Sequence, residues 1–420
     1  MILLALAALA MATSTASAAD LPQKWDPRRV AVNHNPENTF LLRPGQILAA
    51  PGDGADVSRV LTDWKAAEGP YGVTVFQRPV QNPLDPAKEV LDAIAKVRRA
   101  TASRAQGPAR VAPNHVFVGE AAAINFMGEP RIQGGPGSTV RPAQLPAAMP
   151  LRTKDYGDGK GARIAVLDTG MFDHPWLAGV QAAPNSDDVW DVESDGYADA
   201  ESGHGTFIAG LIRQVAPSTE IYAVKALDSH GVGDDLGVAK AMAQLPADVD
   251  IVNLSLGGYT DRDQPPLAVA EAMVNNPKRV VVAAAGNHGA TRPFWPAAFE
   301  DVLAIGAADE SKGGWMRAPY SNHGKWVDAT ARGSNLESTF GEGKTKIALG
   351  STPSPLDPTI AFEGWARWDG TSFATPIAAA LVARTMSRTG LPAADAQVKL
   401  LANAPAAPTD FPNAVLLDEL

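Results

Sequence analysis

Cysteine is absent from the 420 residues of this chain. That excludes a disulfide framework and a thiol nucleophile. It leaves the compartment open, because a chain of this length builds a core without cross-links. Long apolar runs are equally scarce. One opens the chain at Met1–Ala12, with no Lys or Arg ahead of it. Nothing later is apolar for the roughly 20 residues that a bilayer span requires. Basic charge is in deficit, with 36 Lys and Arg against 46 Asp and Glu, a net of −10. A nucleic-acid partner needs a basic face, so that class is excluded. No internal repeat stands out.

What is present begins with Asp369-Gly370-Thr371-Ser372-Phe373-Ala374-Thr375-Pro376, followed by a run of small apolar residues. Gly370 and Thr371 interrupt regular structure, so a buried helix is expected to start near Ser372, with proline in its first turn. A serine there lies beside free backbone N–H groups and the positive end of the helix dipole, where a developing oxyanion is stabilised. Alone, Gly-Thr-Ser reads equally as an N-capping hydroxyl. Arg163–Asp168 reads as a buried parallel strand with Asp168 at its carboxyl edge, where open α/β sheets carry their active-site groups. Of the seven histidines, only His204 lies between two glycines just ahead of an apolar helical run. Such glycines let the backbone bring an imidazole close to another segment. A serine hydroxyl needs an imidazole to take its proton and a carboxylate to orient that imidazole, so Asp168, His204 and Ser372 together supply nucleophilic catalysis. Val280–Ala285 reads as a further buried strand, and Asn287 just past its end is a candidate donor to the oxyanion alongside the Ser372 N–H.

The order Asp168, His204, Ser372, with Asn287 between the last two, resembles the subtilases, the subtilisin-like serine peptidases. The resemblance covers roughly residues 150–390. It implies an α/β fold, a mostly parallel sheet with helices on both faces, preceded by a small α+β prodomain. It implies a peptide-binding strand at Ser255, Leu256 and Gly257, where β-augmentation would hold an extended substrate. It implies no cofactor for the reaction. The run Ile212–Pro217 is too short for the calcium loop of many subtilisins, and Phe294 falls where the primary pocket often has a small residue. Asp191–Gly196, with Asp199 following, alternates oxygen ligands as calcium loops do, and is open to two readings: a structural calcium site or a solvated acidic loop.

Residues 1–19 fit a signal peptide with the Ala16-Ser17-Ala18 cleavage pattern, so secretion is expected. Helical faces at Val57, Val60, Leu61, Trp64 and at Val90, Leu91, Ile94, Val97 alternate with strand-like runs. This α+β unit, residues 20–133, is read as the prodomain, with the catalytic domain at 134–420. Residues 20–133 carry a net charge of +2 and residues 134–420 a net of −12, signs that favour association of the two. Gln133–Ser138 reads as a linker, and the processing cut is expected near it. Residues 340–363, rich in Gly, Ser, Thr and Pro, read as an exposed insertion. The expected protein is a monomeric secreted endopeptidase acting on polypeptides and on its own prodomain. Two rivals stand beside it: an inactive subtilase that only binds peptides or a partner, and a serine-carboxyl peptidase with a Glu base and an Asp in the oxyanion site.

Overall fold

The computed structural model describes residues 30–119, 140–143, 157–346 and 359–417. The expected signal peptide, the Gln133–Ser138 linker and both domain boundaries lie outside that set. The N-terminal unit contains β1 (Ala31–Asn33), β2 (Phe40–Ala49), α1 (Gly54–Val60), β3 (Lys65–Glu68), β4 (Thr74–Gln77), α2 (Pro86–Ala100) and β5 (Val111–Gly119). Its strands run β5-β2-β4-β3, with β1 on β2. Asp85 caps α2 by accepting from the Lys88 N–H at 3.0 Å, and Pro86 opens the helix where its missing N–H costs nothing. Val90, Ile94 and Val97 then bury one stripe of α2 with Val57, Leu61 and Trp64 against Phe40, Leu42, Ile47 and Phe76 of the sheet. Strand β3, Lys-Ala-Ala-Glu, is exposed throughout and gives no alternation to read.

Beyond β6 (Arg141–Pro142), the chain alternates strand and helix: β7 (Arg163–Asp168), β8 (Gln181–Ala182), α3 (His204–Val215), β9 (Glu220–Lys225), β10 (Val232–Asp234) and α4 (Asp235–Ala243). It continues with β11 (Ile251–Leu254), β12 (Leu256–Gly257), α5 (Leu267–Asn275), β13 (Val280–Ala284), β14 (Val302–Ser311), β15 (Gly314–Arg317) and β16 (Ala329–Arg332). The last elements are β17 (Leu336–Lys346), β18 (Thr359–Trp368), α6 (Thr371–Thr389), α7 (Ala393–Asn403) and β19 (Val415–Leu417). The central sheet runs β19-β16-β14-β13-β11-β7-β9-β8, parallel at every step, with β15 antiparallel on β14. Successive side chains of a strand point to opposite faces. Ile164 and Val166 therefore meet Phe207, Leu211, Phe373 and Ile377 of α3 and α6. Ala165 and Leu167 meet Val238, Met242 and Val269 of α4 and α5. The expected α/β architecture with helices on both faces is what this chain forms.

The exposed insertion expected at 340–363 is overturned at its described flanks. Strands β17 and β18 form an antiparallel hairpin that pairs with β6, and Phe340, Phe362, Trp365 and Trp368 are buried. The small and polar residues dominate the composition, but the spaced aromatics decide the burial. The start of α6 also differs from expectation. Pro376 lies inside the helix rather than in its first turn, so no N–H is available for the carbonyl of Ser372. The Ser255 hydroxyl fills that place, donating to the Ser372 carbonyl at 2.7 Å.

The two units share backbone as well as side chains. Strand β5 lies between β10 and β12, antiparallel to both, so one seven-stranded sheet crosses the boundary. Around it Arg43 meets Asp234 at 2.6 Å, Arg98 meets Asp261 at 4.0 Å and Arg110 meets Glu271 at 3.2 Å. Each places an arginine of the N-terminal unit on an acid of the larger one, the polarity expected from the charge partition. Asn114 of β5 accepts from the Leu236 N–H at 3.1 Å, capping the start of α4.

Candidate active site

Asp168 ends β7 at the carboxyl edge of the sheet and is fully buried. Its Oδ1 accepts from the Thr169 N–H at 2.8 Å and contacts His204 Nδ1 at 2.8 Å. His204 opens α3, and the two glycines beside it are needed for close approach. A Cβ on Gly203 would lie 2.5 Å from the Phe340 ring, and one on Gly205 would lie 2.2 Å from the Gly170 carbonyl. The imidazole is wedged between Trp368 and Phe373, with ring centroids 5.5 and 5.3 Å away. Phe373 follows Ser372 in α6, so the helix that carries the serine is also the wall of the histidine's pocket.

Ser372 is buried at the first turn of α6, and its hydroxyl donates to the Ser255 carbonyl at 3.1 Å. His204 Nε2 has no hydrogen-bond partner among the described residues. The Asp168–His204 half of the expected triad is thus assembled, while the serine hydroxyl is turned to Ser255. A rotation about the serine χ1 changes its partner without backbone movement. Asn287 follows β13, and its side-chain oxygen accepts from both the Thr371 N–H and the Thr371 hydroxyl at 2.9 Å. Fixing the oxygen on Thr371 fixes the amide plane, so the NH2 group is directed away from Thr371. Thr371 in turn accepts from the Gly286 N–H at 3.1 Å, tying the start of α6 to the asparagine loop.

The expected peptide-binding residues form an edge of the same site. Leu256 and Gly257 pair antiparallel with Gly119 and Val118 of β5. Ser255, one residue before them, is the residue whose carbonyl takes the Ser372 hydroxyl. Across β5, Val232, Gly233 and Asp234 pair with Val118, Phe117 and Val116, and the Gly119 N–H donates to the Gly231 carbonyl at 2.8 Å. An extended segment of this chain therefore occupies the groove between β10 and β12, and its last described residue stands one position short of Ser255. Phe294 is buried with its ring 5.2 Å from that of Tyr259.

Several residues of the site had no sequence signal. Glu201 is fully buried three residues before His204, with Oε2 3.7 Å from His204 Nε2. Burial pushes its carboxyl up to about 8, against the opposing pull of His204. Burial alone would depress the imidazole, but Asp168 and Glu201 outweigh it and raise His204 to about 9. Asp188 joins the loops that carry Asp168 and His204, accepting from the Thr169 hydroxyl at 2.9 Å, the Gly203 N–H at 2.8 Å and the Ser229 hydroxyl at 3.2 Å. In sequence it is one acid among many in an acidic stretch. Strand β10, the second edge of the groove, is only three residues long and reads as a turn.

The acidic segment left open between a calcium site and a solvated loop makes hydrogen bonds within itself. Asp191 accepts from the N–H groups of Asp195 and Gly196, and Asp199 accepts from the Val192 N–H. Glu193 meets His230 Nε2 at 2.7 Å, so the nearby carboxylates answer an imidazole as well as backbone amides. Calcium prefers oxygen ligands alone.

Residues 159–414 match the model of the subtilase family. A thermostable alkaline protease of Halalkalibacterium halodurans is 34% identical over 55% of this chain and 58% of its own length. Subtilisin BL of Lederbergia lenta is 34% identical over 48% of this chain and 74% of its own. Among solved structures, fervidolysin from Fervidobacterium pennivorans, a keratinolytic enzyme related to subtilisin, superposes on 95% of this chain with a TM-score of 0.60 and 20% identity. The match spans 64% of that structure, and little more than half of the alkaline protease.

Proposed function

The chain belongs to the subtilase family, and on that premise we propose that it is a secreted serine endopeptidase made with its own N-terminal inhibitor. Ser372 attacks the peptide carbonyl. His204 Nε2 takes the serine proton and returns it to the leaving amine, while Asp168 at Nδ1 holds the ring and stabilises the imidazolium. The oxyanion is received by the Asn287 amide and the Ser372 N–H at the start of α6. No metal takes part in these steps. The substrate is a polypeptide laid between β10 and β12, and the enzyme acts as a monomer. No helix among the described residues is long and apolar enough to cross a membrane.

The observation that carries this reading is the lie of β5. It fills the groove as an added strand, and its last described residue, Gly119, pairs with Leu256, next to the Ser255 that takes the Ser372 hydroxyl. The processing cut would then fall one residue beyond Gly119, upstream of the linker expected at Gln133–Ser138. The purified active protein should therefore begin within a few residues after Gly119, and a serine-directed phosphonate should label Ser372 alone. A mature terminus downstream of Ser138, or no labelling, would count against the reading; absence of labelling would favour the partner-binding rival, in which the unmade His204–Ser372 bond is never made.

The proposed base must be neutral to accept a proton, and its raised pKa sets the sign of the pH profile. With Asp168, Glu201 and Asp188 all contributing negative charge around His204, kcat/KM should climb with pH toward about 9. Replacing Glu201 by glutamine removes one of these charges, so the acid limb should move to lower pH. A limb that stays put or moves upward overturns this account. A serine-carboxyl peptidase would instead be fastest in acid.

A further inference from the structure

Glu201 exchanges no proton in the steps above and acts there only through its effect on His204, yet it is among the least accessible carboxylates of the described chain. Neither of its side-chain oxygens has a hydrogen-bond partner among the described residues. Its place explains what it does. On one side is Gly119, the end of the strand in the groove. A Cβ added there would lie 3.2 Å from Glu201 Oε2, 3.4 Å from Cδ and 3.5 Å from Cγ, so it would face the whole carboxyl end of the side chain. On the other side is Gly231, where a Cβ would be only 2.3 Å from Glu201 Cγ. Glu201 thus rests directly on the backbone of the strand-edge turn. Its own N–H donates to the Ser229 carbonyl at 2.9 Å, and His204 Nε2 stands 3.7 Å from Oε2. The side chain is boxed in by the catalytic imidazole, the Ser229–Gly231 turn and the occupant of the groove.

The register identifies which substrate position this is. Gly119 pairs with Leu256, and Ser255 is the residue that takes the Ser372 hydroxyl. A peptide in this register presents its next carbonyl to the serine, so Gly119 holds the second position before the scissile bond. Resting on the peptidase reading above, we propose that Glu201 fills the subsite for that second position, so that the enzyme accepts glycine there and excludes residues with a side chain. Glycine leaves the carboxyl undisturbed. An alanine methyl meets it at a distance that forces a shift of a few tenths of an ångström. A larger side chain adds volume beside a carboxyl group that is already packed against Gly231 on its other side. Over-filling a packed site of this kind is costly. The polarity of the group adds a second barrier, because an apolar side chain would cover the carboxyl oxygens without offering them a donor.

The test uses the self-processed enzyme and peptides that differ only in the second residue before the scissile bond: glycine, alanine, leucine or lysine. The expected kcat/KM is highest for glycine, about 10-fold lower for alanine and about 100-fold or more lower for leucine and lysine, as overpacking magnitudes imply. Glu201→Ala should bring the leucine-to-glycine ratio up by about 10-fold or more, since the obstructing atoms are gone. Glu201→Gln, of the same shape but uncharged, should keep the preference for glycine. Should Glu201→Ala fail to fold, Glu201→Asp, one methylene shorter, should admit alanine at close to the glycine rate. Equal rates for glycine and leucine in the parent enzyme overturn the subsite and leave the peptidase reading intact. A preference for lysine also overturns it, making Glu201 a recogniser of cations. Failure to cleave any peptide removes the peptidase reading and the subsite together.

Discussion

Ser372→Ala is expected to lower peptide hydrolysis by about 10⁶-fold, the size of effect seen when a nucleophile is removed from such a unit. The fold should survive it. Among the described residues the hydroxyl's partner is the Ser255 carbonyl, whereas the bond that completes α6 runs from the Ser255 hydroxyl to the backbone carbonyl of residue 372. Alanine leaves that second bond in place, and its helix propensity is the highest of any residue. The variant should therefore melt within about 2 °C of the parent, a shift smaller than that caused by 1 kcal/mol in a domain of this size. It should also remain uncut, with the N-terminal unit still attached. Initial rates on a fluorogenic peptide and the intact mass of the purified variant check both halves. Activity within tenfold of the parent would remove Ser372 from the reaction.

Asn287→Ala should cost about 10²–10³ in kcat and leave KM nearly unchanged, the signature of a donor used only when the oxyanion forms. The geometry that motivates this is the pinning of the amide oxygen by Thr371, which fixes which way the NH2 group is directed. A modest fall in stability should accompany it, since Thr371 loses an acceptor for both its N–H and its hydroxyl. Steady-state kinetics over a full substrate range decide the matter. A raised KM with kcat preserved would mean that the asparagine binds ground-state substrate instead.

Much of the fold and part of the site could be read from sequence because each feature has a local cause. Arg163–Asp168, Ile251–Leu254 and Val280–Ala284 are apolar runs buried on both faces, and the helices between them carry continuous apolar stripes. Asp168, His204, Asn287 and Ser372 each sit where a strand ends or a helix begins, a junction that composition marks plainly. What escaped notice depends on the partner rather than on the segment. Glu201 is an ordinary acid until Gly119, Gly231 and His204 close around it. Asp188 gains its role from three loops that are far apart in the chain. The hairpin of β17 and β18 was hidden by its small residues, because four aromatics separated by flexible composition give no period to read. Pro376 looked like a helix opener; that its lost hydrogen bond is supplied from Ser255, more than a hundred residues away, is a tertiary fact.

Strand β5 is a member of two partnerships at once: its middle belongs to the small unit's own core, and its end belongs to the groove. Severing the chain past Gly119 breaks one covalent link but none of those ladder bonds. The severed piece would therefore stay put as a competitor for the same groove, and first cleavage would not be the moment of release. On the proposed reading, the onset of activity would follow the lifetime of that complex, which is held by the β5 ladders and, around them, by arginine–carboxylate contacts. Ionic strength weakens such contacts where they reach solvent. On that reading, higher salt should shorten the delay between the first cut and full activity.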